Sequence, residues 1–84
     1  MKEFLVRVLV EPKPELFDPQ GQAVERAMLE LGLKNVSGTR VGKLIKFKLK
    51  AVSAQQARER VSEIAQKFLA NPVIEQYSIE MEEL

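Results

Sequence analysis

The stretch Phe4-Leu5-Val6-Arg7-Val8-Leu9-Val10 constrains the fold of this chain more than any other. Its strict alternation puts Phe4, Val6, Val8 and Val10 on one side and Leu5 and Leu9 on the other, with Arg7 between them. A period of two is the signature of a β-strand. Pro12 and Pro14 end the strand, because proline cannot donate to a ladder.

From Pro19 to Leu31 the period becomes helical, and Ala23, Val24, Ala27, Met28 and Leu31 form one stripe. Asp18 is a strong N-cap and Pro19 suits the first helical position. Gly21 is out of character there, since glycine inside a helix costs roughly 0.8–1.0 kcal/mol relative to alanine. Its presence asks what comes close to the backbone at that point. Gly32 stands where a left-handed helix cap is usual.

Residues 35–50 read as two strands or one long bent pair, with bends at Gly38 and Gly42 and a hairpin turn near Val41-Gly42-Lys43. Within it, Leu44, Lys46, Lys48 and Lys50 alternate with Ile45, Phe47 and Leu49. Ser53 and Gln56 make a capping box opening a second helix from about Ala54 to Ala70. Its expected core stripe is Ala57, Val61, Ile64, Ala65 and Phe68, and Asn71-Pro72 stops it. A last strand follows, with Val73, Tyr77, Ile79 and Met81 facing the core and a frayed tail, Glu82-Glu83-Leu84.

The expected architecture is thus one α+β domain over residues 1–84, in the order β-α-β-β-α-β. Two helices pack on one face of an antiparallel sheet, as in split βαβ folds. Leu5, Leu9 and Leu44 fall on the other face by parity. A domain this small has little core of its own, so the uncovered apolar surface predicts a homo-oligomer, or another chain covering the face or an edge.

Composition removes several chemistries. The chain has 84 residues without cysteine or histidine, which excludes Ser-His and Cys-His nucleophile systems and His- or Cys-bearing zinc sites. Thirteen basic residues against twelve acidic ones give no global signature for nucleic acid. No apolar run approaches a membrane span and no signal peptide precedes the first strand, so the expected setting is cytoplasmic, with no membrane partner.

The charged clusters have plain accounts. Lys43, Lys46, Lys48 and Lys50 resemble a phosphate track, but a solvated or aggregation-resistant strand explains them better, with pairing to Glu75, Glu80, Glu82 and Glu83 across the sheet. An RNA-recognition module shares the element order, yet Phe47 and Phe4 fall with the core residues, so no aromatic platform is presented. Asp18 with Glu15 or Glu11 is a poor carboxylate pair and a good helix cap. Arg40, Gly42 and Lys43 suit an anion or a partner's carboxylates. No catalytic residue and no metal site is expected.

Three segments together carry a resemblance: DPQGQAVERAM at 18–28, RVGKLIKFKL at 40–49 and FLANPVIEQYSIEM at 68–81. In order and spacing they resemble the PurS family, the small subunits of phosphoribosylformylglycinamidine synthase, over essentially the whole chain. The lysine-rich 43–50 run departs from the family's usual pattern.

The resemblance implies a non-catalytic assembly subunit in de novo purine biosynthesis. The whole enzyme converts formylglycinamide ribonucleotide, glutamine and ATP into the amidine, glutamate, ADP and phosphate. PurL performs the amidation with ATP and Mg, PurQ releases ammonia from glutamine, and the small subunit bridges them as a homodimer or higher oligomer. It implies no cofactor on this chain. The expected partner interface, on the residues themselves, is Asp18, Gln20, Gly21, Arg40, Gly42 and Lys43. The rival reading is a regulatory domain of the ACT type, binding a small molecule at a dimer interface. The two prolines in the turn after the first strand, EPKPELFDPQG, speak against it.

Overall fold

The computed structural model describes all residues from Met1 to Leu84. Strand β1 runs over Lys2–Pro12, helix α1 over Pro19–Glu30, strand β2 over Lys43–Ala51, helix α2 over Ala54–Ile64 and strand β3 over Glu75–Glu83. A π-helical turn, Ala65–Leu69, continues α2. The three strands form one antiparallel sheet in the order β2-β1-β3.

The alternation in β1 sets the register of both neighbours. Val6 lies opposite Phe47 and Met81, and Val8 opposite Ile45 and Ile79. These residues share the face covered by α2 and its π-helical continuation, where Ala57, Val61 and Ala65 are buried against it. Small residues at the contact let the helix sit close to the strands. Ser53 caps α2 by accepting from the Gln56 N–H at 3.1 Å, and the Gln56 side-chain carbonyl reaches back to accept from the Val52 N–H at 2.8 Å. The Tyr77 and Ser62 hydroxyls meet at 3.0 Å across the α2–β3 seam.

The α+β class with its antiparallel sheet and two helices holds, with two corrections inside it. Residues 33–42 contain no strand, so the order is β-α-β-α-β. A hairpin at 41–43 does not form, because Gly42 lies so close to the Val10 carbonyl that a Cβ would collide with it, and Lys43 pairs directly with Val10. The backbone turns earlier, at Asn35 and Gly38, which have φ of 62° and 69°.

The second correction is that α1 does not pack on the sheet. It makes no substantial contact with any strand or with α2, and only Gly21 among its residues is buried. With its flanking loops it stands off the body as an arm. The radius of gyration is 16.0 Å, against about 12 Å for a compact chain of this length.

Smaller departures follow from local geometry. In a continuous α-helix Phe68 would follow Val61 and Ala65 onto the core face. The wider π turn, closed by the Ala70 N–H donating to the Ala65 carbonyl at 2.9 Å, rotates it outward, where it is 78 % exposed. Leu69 and Ala70 take its place against the core. Ile64 stays 46 % exposed, and Val73, in the turn before β3, faces solvent. The tail is not frayed: Glu82 and Glu83 pair with Leu5 and Phe4, and the Leu84 N–H donates to the Glu3 carbonyl at 2.8 Å. Because β1 lies between β2 and β3, the lysine column does not face the glutamates as a neighbour. Glu82 instead bonds Arg7 at 2.8 Å. On the uncovered face Leu9 lies opposite Leu44, both exposed, beside a half-buried Leu5.

Candidate functional site

The residues singled out in the sequence converge at the base of the arm. Arg40 is the fastener. Its guanidinium donates from Nη1 to the Leu16 carbonyl and from Nη2 to the Pro14 carbonyl, both at 2.6 Å. The planar fork suits two acceptors spaced along one loop in a way a lysine would not. It ties residues 14–16, which lead into α1, to residues 38–41, which lead away from it.

Asp18 makes the next tie. It is the N-cap residue of α1 in position and extended backbone geometry, and its carbonyl accepts from the Gln22 N–H at 3.0 Å. Its carboxylate does not cap the helix but accepts from the Val41 N–H at 2.9 Å. That bond is the main reason the carboxyl is held below its ordinary pKa. The nearby Gly21 N–H acts in the same direction, burial opposes them both, and the Arg40 charge adds a lesser lowering. Glu25, two turns into α1, makes the third tie: its Oε1 accepts from the Thr39 N–H at 3.1 Å and the Thr39 hydroxyl at 2.8 Å.

This arrangement explains the glycine in the first turn. Gly21 packs so closely on the Thr39 carbonyl and the Asp18 carboxylate that a Cβ would collide with both. The close approach is with the chain's own loop. Five of the six expected interface residues therefore fall in one hub or beside it: Asp18, Gly21 and Arg40 inside, Gly42 at the junction with β1, and Lys43 at the start of β2. Gln20 is exposed on the first turn of α1. Thr39 and Glu25 escape sequence reasoning, because a lone Thr-Glu pair fourteen residues apart leaves no periodic or motif signal.

The chemistry available here is recognition. A shallow hollow is lined by Phe17, Asp18, Gln22, Glu25, Gly38, Thr39 and Arg40. Its polar groups are largely spent on one another. A second, of about 450 Å³, opens at the end of the sheet between Leu9, Leu44 and Tyr77. No three carboxylates come together as a cation site. No helix is long and apolar enough to cross a membrane.

Residues 5–83 match the family model for PurS, described as phosphoribosylformylglycinamidine (FGAM) synthase. The subunit PurS of that synthase from Archaeoglobus fulgidus is 38% identical over 72 residues, 86% of this chain and 90% of the relative. The structure of Thermus thermophilus PurS superposes with a TM-score of 0.85 at 36% identity, covering 98% of both chains. A chain in the structure of PurLQS from Thermotoga maritima superposes with a TM-score of 0.84 at 34% identity, covering all of both chains.

Proposed function

The chain belongs to the PurS family of phosphoribosylformylglycinamidine synthase subunits, and from that premise we infer that it joins a glutaminase to an amidating subunit in purine biosynthesis. The observation that carries this reading is the end-to-end match to a chain of the PurLQS structure. By that likeness its partners are PurL and PurQ. ATP and Mg are used on PurL, and this chain carries no cofactor and no catalytic group. It works in the cytoplasm as a homo-oligomer.

The mechanism is one of position. Holding the ammonia-producing centre against the amidating centre turns a diffusive encounter into a local transfer, and such pre-orientation lowers a barrier without any new chemistry. What the chain contributes is shape: a stiff sheet body and an arm fixed at its base. Gln20 and Lys43, exposed at the hub, are the residues offered to partner subunits. Asp18, Gly21, Arg40 and Gly42 hold the loops that present them. The ACT-type alternative receives no support from the family match.

The test uses PurL and PurQ from the same organism. Glutamine-driven amidation should depend on this chain, while ammonia-driven amidation by PurL should depend on it far less. If neither rate changes when the chain is added, and no ternary complex elutes, the reading fails.

A further inference from the structure

We propose that Glu25 is a positioning residue: through Thr39 it sets the direction of α1 against the sheet, and with it the delivery of ammonia between the subunits that this chain joins. The proposal rests on the bridging reading above and names the tie that gives the bridge its geometry.

Three successive residues, Thr39, Arg40 and Val41, hold the arm, and they hold it differently. Arg40 grips the Pro14 and Leu16 carbonyls, and the Val41 N–H donates to the Asp18 carboxylate. Both ties reach the chain before α1 begins at Pro19. Gly21 adds a close contact in the first turn. Anchors grouped at one end of a rod fix a point and leave its direction free. Glu25 stands about 10 Å further along the helix axis than Asp18, at about 1.5 Å per residue. Since α1 makes no substantial contact with any strand or with α2, no packed core sets its direction within the chain. The second anchor falls to Glu25.

The geometry suits that task. One oxygen, Oε1, accepts from the N–H and the hydroxyl of the same residue, at 3.1 and 2.8 Å, so the carboxylate registers on backbone and side chain at once. Both residues are half-buried, and no ion pair competes for the carboxylate. Threonine is stiff at χ1, which keeps the hydroxyl aimed. The strap that carries Thr39 is itself fixed to the sheet, because Gly42 lies against the Val10 carbonyl and Lys43 pairs with Val10. The direction of the helix is thus referred to β1 through Gly42, Thr39 and Glu25. A subunit that contributes only shape depends on such a tie.

The test uses PurL and PurQ from the same organism at saturating subunit concentrations. Glu25→Ala removes both bonds and leaves a better helix former in place, so α1 should persist, as circular dichroism would verify. Glutamine-driven kcat should fall roughly tenfold or more with the KM for glutamine little changed, since small misplacements between reacting centres are costly. Glutamate should then form in excess over the amidine, because ammonia escapes before it is transferred. Ammonia-driven turnover should be unaltered. Glu25→Gln keeps an oxygen that accepts from both Thr39 donors and should restore equal amounts of glutamate and amidine. Thr39→Val, which lacks only the hydroxyl, should fall between. Independently, the cysteine-free chain can carry spin labels at Glu30→Cys and Lys46→Cys, both exposed sites, diluted into unlabelled chain. The distance between them should be sharply defined, broaden with Glu25→Ala and sharpen again with Glu25→Gln.

An unmodified chain that supports no glutamine-driven turnover overturns the bridging reading, and this proposal with it. Where the unmodified chain does support it, three results overturn the positioning role alone. They are a Glu25→Ala chain that stays fully coupled, a Glu25→Gln chain that uncouples as far as Glu25→Ala, and a label distance that ignores both. A Glu25→Ala chain that fails to join the partner subunits at all overturns it too, and makes the tie one of assembly rather than delivery.

Discussion

The sheet with α2 and the arm around α1 show two ways of ordering a chain. In the body, order comes from burial: Phe4, Val6, Val8 and Val10 are at most 2 % exposed and meet Ala57, Val61 and Ala65 from the helix. In the arm, order comes from polar ties to backbone, through Arg40, Asp18 and Glu25, while Phe17, Leu31 and Leu33 face outward. Burial is non-directional and stabilises in proportion to area. Hydrogen bonds add only about 1 kcal/mol each but fix geometry. The body is therefore built to persist and the arm to be aimed.

Substitutions can break that contrast in graded steps. Phe4→Ala empties part of the core and should cost about 3–5 kcal/mol, read as a fall in the denaturation midpoint of the whole domain. An unchanged midpoint would mean that the body does not depend on its core. Gly21→Leu should cost on the order of 1–3 kcal/mol, because the Thr39 carbonyl must move, and the loss should be confined to the arm. Amide exchange should quicken at residues 38–41 while the sheet stays protected. Global unfolding instead would show that the two regions are not separable.

Arg40→Lys should loosen the same loop by on the order of 1 kcal/mol, since the ammonium cannot bridge the Pro14 and Leu16 carbonyls as the fork does. The smallest effect is acidification. The lowered pKa of Asp18 means its carboxylate binds protons less readily in the folded chain than in the unfolded one. Its contribution is then full above about pH 3.9 and is lost as pH falls through the lower folded value. Protection of the Val41 amide, taken relative to its intrinsic exchange rate, should fall in that acid range and hold steady between pH 5 and 8, and Asp18→Asn should flatten the profile.

The body is far more legible in the sequence than the arm. The alternation in β1 and the Ser53–Gln56 box each state a local structure and its buried side, and the structure contains both. Helical spacing misplaces Phe68 because a π turn adds a residue to the helical repeat and leaves no trace in the spelling. Residues 35–42 resemble a strand because Val36, Thr39 and Val41 have β-forming side chains. The backbone N–H groups of Thr39 and Val41, however, donate to the Glu25 and Asp18 carboxylates, which no periodicity announces. The stripe on α1 is apolar as its spacing says. A stripe says that a surface wants covering and is silent on which molecule covers it. The hub residues stand out in the sequence as a group, while their ties to one another come only with the coordinates.

The order of strands has a consequence for how the chain is made. The middle strand, β1, is the first to be synthesised, and β3, which pairs Glu83 with Phe4, is the last. Contacts between such distant residues carry the largest loop-closure cost and slow folding. The sheet cannot close until β3 has left the ribosome. Until then Val6 and Val8 lack one of their two neighbours, and the nascent chain exposes the very strand on which the finished sheet is built.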